Sequence, residues 1–346
     1  MTGGTELPMR PVEAWLVEAG VPVEPPLTAR LIPGGRSNLT YLLTDARGAR
    51  TVLRRPPLSG VIASAHDVLR EHRIITALHG TGVPVPATLA ACPDDSVIGA
   101  PFIVMDYVDG VVLRDLHTAQ TQLEEAARGR VGPSMVDALA RLHAIVPQEI
   151  GLADLGRGVA YLPRQLTRWE HQLDSLGVAT SAAMRDVLAR LKAGVPEQAS
   201  VTIVHGDFRP GNVIVGPGGI VRAVLDWELA TLGDPLADLG WLVAYWGSSD
   251  PEVALPLSVP TRAAGFGSSD EVTRRYAELT GRPVEDLGFY VAFALWRLAA
   301  ILAGVNARAR RGAYGAPGGA PDDADLDDRV DRLIEAAQAA TDAAGR

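Results

Sequence analysis

Residues 204–213 read Val204-His205-Gly206-Asp207-Phe208-Arg209-Pro210-Gly211-Asn212-Val213, and this stretch decides the fold. An apolar strand enters, the chain turns over polar residues, and Val213 to Val215 leave as a second strand. Such a hairpin sets Asp207 and Asn212 side by side at one edge. The next strand, Ile220 to Leu225, ends in Asp226-Trp227-Glu228 and brings another carboxylate to a strand end. One aspartate, a neutral asparagine and a second aspartate suit phosphoryl transfer. Mg2+ takes few protein oxygens there, because nucleotide phosphates and waters complete its octahedron. Asn212 and Asp226 are the expected metal ligands, and Asp207 aligns an acceptor hydroxyl and takes its proton. Aspartate, proline, glycine and asparagine between strands also make ordinary turns. The complete His-x-Asp-x-x-x-x-Asn spacing, flanked by strands and followed by Asp226, is far more specific than an isolated His-Gly-Asp.

Composition narrows the chemistry from the other side. The chain has 346 residues, a formal net charge of −9 and 32 basic residues, of which Lys192 is the only lysine. Cys92 is the single cysteine, which forbids an internal disulfide and any multi-cysteine metal site. No Gly-Lys-Ser/Thr occurs, so the phosphate loop of the common nucleotide hydrolases is absent. If phosphates are handled, arginine and metal must do it. The acidic balance argues against nucleic acid as a partner. The start lacks an apolar signal core, and the apolar run from Leu287 to Val305 has Arg297 at its middle, costly in lipid. A cytoplasmic protein without a membrane partner is expected, with that run as a buried core helix.

Periodicity outlines the elements. Up to about residue 105 the chain reads mainly as strands: Ser37 to Thr44 and Ala49 to Arg54 flank the turn Asp45 to Gly48, and Pro101 to Tyr107 is a compact apolar strand. A helix is expected from Ser64 to His79, with Val68, Ile75 and Leu78 on one stripe. Beyond this the pattern turns helical. Met135, Leu139, Leu142 and Val146 recur at helical spacing, and Asp234-Pro235 has the chemistry of a helix cap and first turn. Further helices are expected near 161–176, 181–193, 269–280 and 284–308. A Gly/Pro/Ala-rich connector covers 312–321, and a last amphipathic helix follows, with Leu326, Val330, Leu333 and Ala337 on one face. The expected architecture is α+β: a small antiparallel-sheet lobe over residues 1–107 and a larger, mainly helical lobe over 108–346.

The stretch from His205 to Asn212, with Asp226 and the later Asp234-Pro235-Leu236-Ala237-Asp238-Leu239-Gly240-Trp241, resembles the aminoglycoside phosphotransferase and choline kinase-like superfamily. The resemblance covers about residues 28 to 312 and implies a bilobal protein-kinase-like fold. Gly34-Gly35-Arg36-Ser37-Asn38 and Val52-Leu53-Arg54-Arg55-Pro56-Pro57 are most similar to one branch. That branch includes the kinase domain fused ahead of acyl-CoA dehydrogenases and free-standing bacterial phosphotransferases. Tyr276 to Arg282 and Tyr290 to Gly304 resemble it too.

The resemblance implies ATP as co-substrate, Mg2+ as cofactor and a role for each matching residue. Arg54 stands where lysine is usual for contacting phosphates and pairs with a helical glutamate, for which Glu71 is placed. Glu71 lies on the apolar stripe of its helix, where an unpaired carboxylate is expensive. Val52, on the same strand face as Arg54, roofs the adenine, while Arg55 is taken as a surface neighbour. Gly35, Arg36, Ser37 and Asn38 cover the phosphates with backbone N–H groups. Met105 to Val108 form the hinge, with the Asp106 carbonyl and the Val108 N–H facing adenine. Asp238 and His205 brace the catalytic loop. Glu228 is left between touching a second metal and capping backbone, and the remaining histidines, including His143, read as structural or solvated.

The acceptor is a small-molecule hydroxyl. Residues 321–346 hold seven aspartates, one glutamate and three arginines, so much of the negative charge sits in the tail. Arg308, Arg310 and Arg311 close the preceding helix, a cationic cluster that suits an anionic acceptor such as a hydroxyacyl-CoA, and the branch resemblance points the same way. Arg209, Glu228, Trp241 and Arg308 are the acceptor-side candidates, although Trp241 also reads as core. Two alternatives stay open: an aminoglycoside or macrolide kinase, which calls for an acidic cleft beneath Asp207, and a nucleotide-binding regulator without catalysis.

Overall fold

The computed structural model describes residues 6–33, 38–58, 67–178, 180–247, 259–310 and 323–344. The chain forms two compact units, one of Met1–Gly110, Gln148–Leu152 and Arg222–Leu229, the other of Val111–Pro147, Ala153–Val221 and Ala230–Arg346. The architecture is α+β, with the strands concentrated in the first unit and the helices in the second.

The first unit contains α1 (Met9–Glu18), β1 (Thr28–Leu31), β2 (Leu39–Thr44), β3 (Arg50–Arg55), α2 (Val68–Leu78), β4 (Thr88–Cys92) and β5 (Phe102–Asp106). Its five strands form one antiparallel sheet in the order β1-β2-β3-β5-β4. The Asp45 carboxylate accepts the backbone N–H groups of Arg47 and Ala49, which closes the β2–β3 turn. Each sheet face has its own cover. Leu43, Leu53, Phe102 and Val104 pack with Val12 and Leu16 of α1, while Ile103 and Met105 pack with Val68 of α2. Pleating therefore sends Leu53 and Arg55 to one face and Val52 and Arg54 to the other.

Two expectations change here. Helix α1 was not foreseen in a segment that reads mainly as strands; its two fully buried side chains, Val12 and Leu16, give only a narrow stripe. Arg55 is not a surface neighbour. It is 1% exposed and donates from Nη1 to the Pro56 carbonyl and from Nη2 to the Tyr41 hydroxyl. Helix α2 begins at Val68, where Asp67 caps it by accepting the Arg70 N–H. The expected start at Ser64, with His66, lies outside the described residues.

The second unit is built from β6 (Val111–Val112), α3 (Leu116–Gln122), α4 (Glu125–Ala144), α5 (Tyr161–Ser175), α6 (Ala182–Ala193), β7 (Thr202–Val204) and β8 (Val213–Val215). After β9 (Val221–Val224), which carries the chain into the first unit's last segment, come β10 (Thr231–Gly233), α7 (Pro235–Trp246), α8 (Ser269–Thr280), α9 (Leu287–Arg310) and α10 (Asp323–Ala344). Val146 falls beyond the end of α4 and is exposed, so the α4 stripe stops at Leu142.

The strands around Asp207 are not a two-stranded hairpin. β7 pairs antiparallel with β10 and β8 with β6, so the loop between them bridges two small sheets. Asp234 caps α7 by accepting the Leu236 N–H, and its other oxygen takes the Tyr290 hydroxyl of α9. Gly240 permits that close crossing: a Cβ there would lie 2.6 Å from Tyr290 Cβ. By length and composition α9 could cross a bilayer, but most of it is buried inside protein. Helix α10 lies along α9 and buries Leu326, Leu333, Ile334 and Ala337.

Candidate active site

The residues marked out by the sequence fall into two clusters, one in each unit. In the first, Arg54 reaches out from β3. Its Nε stands 2.9 Å from Glu71 Oε2 on α2, its Nη2 2.6 Å from Asp226 Oδ1, and the same Nη2 3.9 Å from Glu228 Oε2. The Arg54–Glu71 pairing that the apolar stripe of α2 demands is thus present, and Asp226 completes a fork that one guanidinium can serve and one ammonium cannot. Burial drives the Glu71 carboxyl upward in pKa, with the Arg54 charge opposing it and Asp226 reinforcing it. Burial would lower Arg54, but Glu71, Asp226 and Glu228 outweigh it and raise it. Glu71 Oε1 also accepts the Trp227 N–H, while the fully buried Trp227 indole donates to the Val224 carbonyl. Asp226 has φ +68°, a left-handed conformation that aspartate tolerates better than most side chains.

Three carboxylates surround that single guanidinium. The excess of negative charge fits a divalent cation, which adds positive charge exactly where arginine alone falls short of it. Among the described residues, however, no group of three or more His, Cys, Asp or Glu side chains converges as a cage for an ion.

Of the residues expected to take the adenine, Val52 lies opposite Met105 in the β3–β5 register, on the Arg54 face of the sheet. Met105 is buried and Asp106 exposed at the end of β5, and the Val108 N–H makes no hydrogen bond to any described residue. Asn38 is buried, with its Oδ1 lacking a hydrogen-bond partner. Gly35, Arg36 and Ser37 lie outside the described residues.

The second cluster is the 205–212 loop. Asp238, from the first turn of α7, accepts the His205 N–H at 2.6 Å on Oδ2 and the Gly206 N–H at 2.8 Å on Oδ1. Gly206 has φ +81°, so glycine supplies the left-handed turn that points both N–H groups at one carboxylate. Behind Asp238 stands buried His143, with Nε2 3.4 Å from Asp238 Oδ2 and Nδ1 2.7 Å from the Tyr276 hydroxyl. Burial works against the Asp238 charge, but His143, His205 and the backbone donors hold its pKa below the usual range. Burial lowers the His143 imidazole despite Asp238 beside it. The His205 ring accepts the Asp207 N–H through Nδ1.

Asp207 presents a carboxylate oriented by three side chains. Trp241 Nε1 donates to Oδ1 at 2.7 Å, Asn212 Nδ2 to Oδ2 at 2.6 Å, and Arg209 Nε is shared between both oxygens at 3.2 Å. Asn212 Nδ2 also donates to the Asp207 carbonyl. With its amide nitrogen so engaged, Asn212 keeps Oδ1, the atom able to ligate a metal, clear of hydrogen bonds to described residues. The Arg209 guanidinium lies 5.3 Å from the centre of the Tyr245 ring. Burial and the Asp207 charge push the Tyr245 hydroxyl up to about 12, against Arg209 and Arg297.

Several acceptor-side candidates change character. Trp241 is 97% buried core and at the same time a donor to Asp207. Arg308 is half-buried in the last turns of α9, but its neighbours Asn306 and Arg310 are engaged by Asp327 of α10 at 2.6 and 2.5 Å. The arginine cluster therefore serves in part to dock the acidic tail. Residues not singled out from sequence are His143, Tyr276, Tyr245 and Arg297. His143 had a signal, lying four residues after Leu139 on the buried stripe of α4. Arg297 had one, a charge at the middle of the apolar run from Leu287 to Val305, though no role followed from it, and Tyr245 had none apart from its place in an apolar helix.

Comparison with known proteins places this geometry. A profile described as "Phosphotransferase enzyme family" matches residues 28–279. Acyl-CoA dehydrogenase family member 10 of Mus musculus is 38% identical over 282 residues, covering 80% of this chain but only 26% of that protein. An aminoglycoside 3'-phosphotransferase of Streptomyces fradiae is 30% identical over 180 residues, 51% of this chain and 63% of that enzyme. Among solved structures, a candidate aminoglycoside phosphotransferase of Ralstonia eutropha JMP134 superposes with a TM-score of 0.81 at 30% identity, covering 97% of this chain and 99% of its own. With the profile match over residues 28–279 and these relatives in agreement, the chain belongs to the phosphotransferase enzyme family.

Proposed function

We propose that the chain transfers the γ-phosphoryl group of ATP to a small-molecule hydroxyl, with a hydroxyacyl-CoA or a similar anionic metabolite as the favoured acceptor. The observation that carries this reading is the Asp207 carboxylate, held in one orientation by Trp241, Asn212 and Arg209. A base fixed in this way accepts the acceptor's proton without first having to be ordered. Val52, Met105, Asp106 and Val108 take the adenine, Asn38 with Gly35, Arg36 and Ser37 the phosphates, and Arg54 a phosphate oxygen beside its Glu71 partner. Asn212 and Asp226 would hold Mg2+, which when bound neutralises phosphate charge and aligns the transferring group. Arg209 steadies Asp207 until the acceptor arrives, and Asp238 with His205 keeps the loop in place.

The anionic acceptor is favoured over an aminoglycoside by charge. An aminoglycoside is a polycation and calls for acidic walls, whereas Arg209 contacts Asp207 directly and Arg297 lies against Trp241, the next residue out. ADP release measured against hydroxyacyl-CoAs, aminoglycosides, macrolides, choline and sugars tests the reading. Turnover of hydroxyacyl-CoAs supports it, and turnover of aminoglycosides alone overturns it.

A further inference from the structure

Arg297 sits near the middle of the long apolar helix α9 and is 93% buried. Its guanidinium lies 4.2 Å from the centre of the Trp241 ring and 5.3 Å from that of Trp169. Nε has no hydrogen-bond partner, and among the described residues no carboxylate forms an ion pair with this side chain. The other buried arginines are served differently: Arg55 donates to a carbonyl and a hydroxyl, and Arg128 to the carbonyls of Ala119, Gln120, Leu123 and Ala264. Aromatic faces attract a buried cation but accept its N–H hydrogens only weakly, so Arg297 keeps donors without a strong acceptor.

Its position gives those donors a use. The indole that stacks on Arg297 is the one whose N–H holds Asp207, so cation and base are separated by a single indole. Arg308, the arginine expected from sequence to face the acceptor, lies about 16 Å farther along the helix axis at 1.5 Å per residue. Arg310 beyond it is spent on Asp327.

We propose that Arg297, beside Trp169 and Trp241, is a specificity-determining anion subsite that receives an acidic oxygen of the acceptor, carboxylate or phosphate, one indole's width from the hydroxyl presented to Asp207. The inference rests on the phosphotransferase reading and narrows its acceptor to molecules carrying an acidic group near the reacting hydroxyl, which sets free hydroxy acids and phosphorylated alcohols above a hydroxyacyl-CoA, whose carboxyl is a neutral thioester. Guanidinium suits the task because its planar fork matches a carboxylate or phosphate edge while its faces stack on indoles. The two flanking tryptophans also make the subsite observable.

The test uses the full chain with ATP and Mg2+ and three acceptor sets: free hydroxy acids of graded chain length, their methyl esters, and their CoA thioesters. The wild type should favour an acidic acceptor over its ester, and Arg297→Met should erase that preference by raising KM for the acidic acceptor about 30-fold or more, the scale of losing one partner of a buried charge pair. An effect on the free acids identifies a carboxylate at the subsite, whereas an effect on the thioesters alone, whose phosphates lie a pantetheine arm away from the hydroxyl, overturns the proposal. A wild type without preference, or a variant that keeps it, overturns the proposal. If Arg297→Met fails to fold, which thermal unfolding reveals, Arg297→Lys takes its place: a preference weakened there supports the proposal, and one kept at the wild-type level overturns it. If no acceptor yields ADP, the phosphotransferase reading fails separately. The subsite is then judged by tryptophan fluorescence on titration with the hydroxy acids and thioesters: a saturable change lost in Arg297→Lys supports it, and no change in the wild type overturns it.

Discussion

The indole N–H of Trp241 donates to the Asp207 carboxylate at 2.7 Å, tying the proposed base to the second turn of α7. Trp241→Phe keeps the apolar bulk and removes the donor. Hydrogen bonds to charged groups contribute about 1.5–3 kcal/mol, so kcat should fall by roughly ten- to a hundredfold with KM for ATP little changed. Steady-state kinetics checks this; an unaltered kcat would show that Asn212 and Arg209 suffice to orient Asp207.

Asp207→Asn retains the size of the side chain and abolishes its capacity to accept a proton. A loss of about 10²- to 10⁴-fold in kcat is expected, with nucleotide binding preserved. Single-turnover transfer to an acceptor and nucleotide titration separate the two effects. Full activity in this variant would sink the mechanism.

Arg54 serves Glu71 and Asp226 at once. Arg54→Met leaves those carboxylates without their cation, and breaking a buried pair in this way costs about 3–5 kcal/mol. A marked drop in Tm is expected, and Glu71→Gln in the same background should recover part of it. Arg54→Lys should be milder in stability yet raise KM for ATP, because one ammonium cannot span both partners. Equal Tm in Arg54→Met and wild type would contradict the account.

His143 makes stability depend on pH. Burial lowers its pKa from the ordinary 6.5, so below about that pH the unfolded chain takes up a proton that the folded chain refuses. Stability should therefore fall as pH drops from 7.5 toward 5, with His72, also lowered by burial, acting in the same direction. Asp238, whose folded pKa is depressed, contributes only at more acidic pH. Urea midpoints across this range should show a shallower slope for His143→Gln than for the wild type; an identical slope would remove His143 from the account.

Gly240→Ala places a Cβ 2.6 Å from Tyr290 Cβ and 2.8 Å from the Tyr290 carbonyl carbon. Neither can yield without moving α9 off α7. Overpacking of this kind costs about 1–3 kcal/mol. Chemical denaturation should show the loss, whereas Gly48→Ala meets no neighbour and is strained only by its positive φ.

What was legible in the sequence was local. The 205–212 loop carries its chemistry within eight residues, and Asp234-Pro235 announces its own helix, so both could be read without knowing what lies around them. Arg54 and Glu71 could be paired because an acid on an apolar stripe has few other outcomes. The rest depended on partners distant in the chain. Arg55 looked solvated until the Tyr41 hydroxyl and the Pro56 carbonyl were found beside it under α1. The strands flanking Asp207 resembled a hairpin because β6 and β10, their actual partners, lie 102 and 27 residues away from them by register. Arg308 to Arg310 suggested an open cationic face because the pairing of Asp327 with that turn is a tertiary contact.

The left-handed backbone of Asp226 has a bearing on how the protein is dissected. Alanine at this position would delete a carboxylate and also inherit a φ that a bare methyl group resists by about 1–2 kcal/mol. An alanine scan would then report conformational discomfort as lost chemistry. Asparagine, which shares aspartate's tolerance of that geometry, isolates the charge, and glycine isolates the backbone. Comparing the two distinguishes a residue that is important for what it binds from one that is important for how the chain bends.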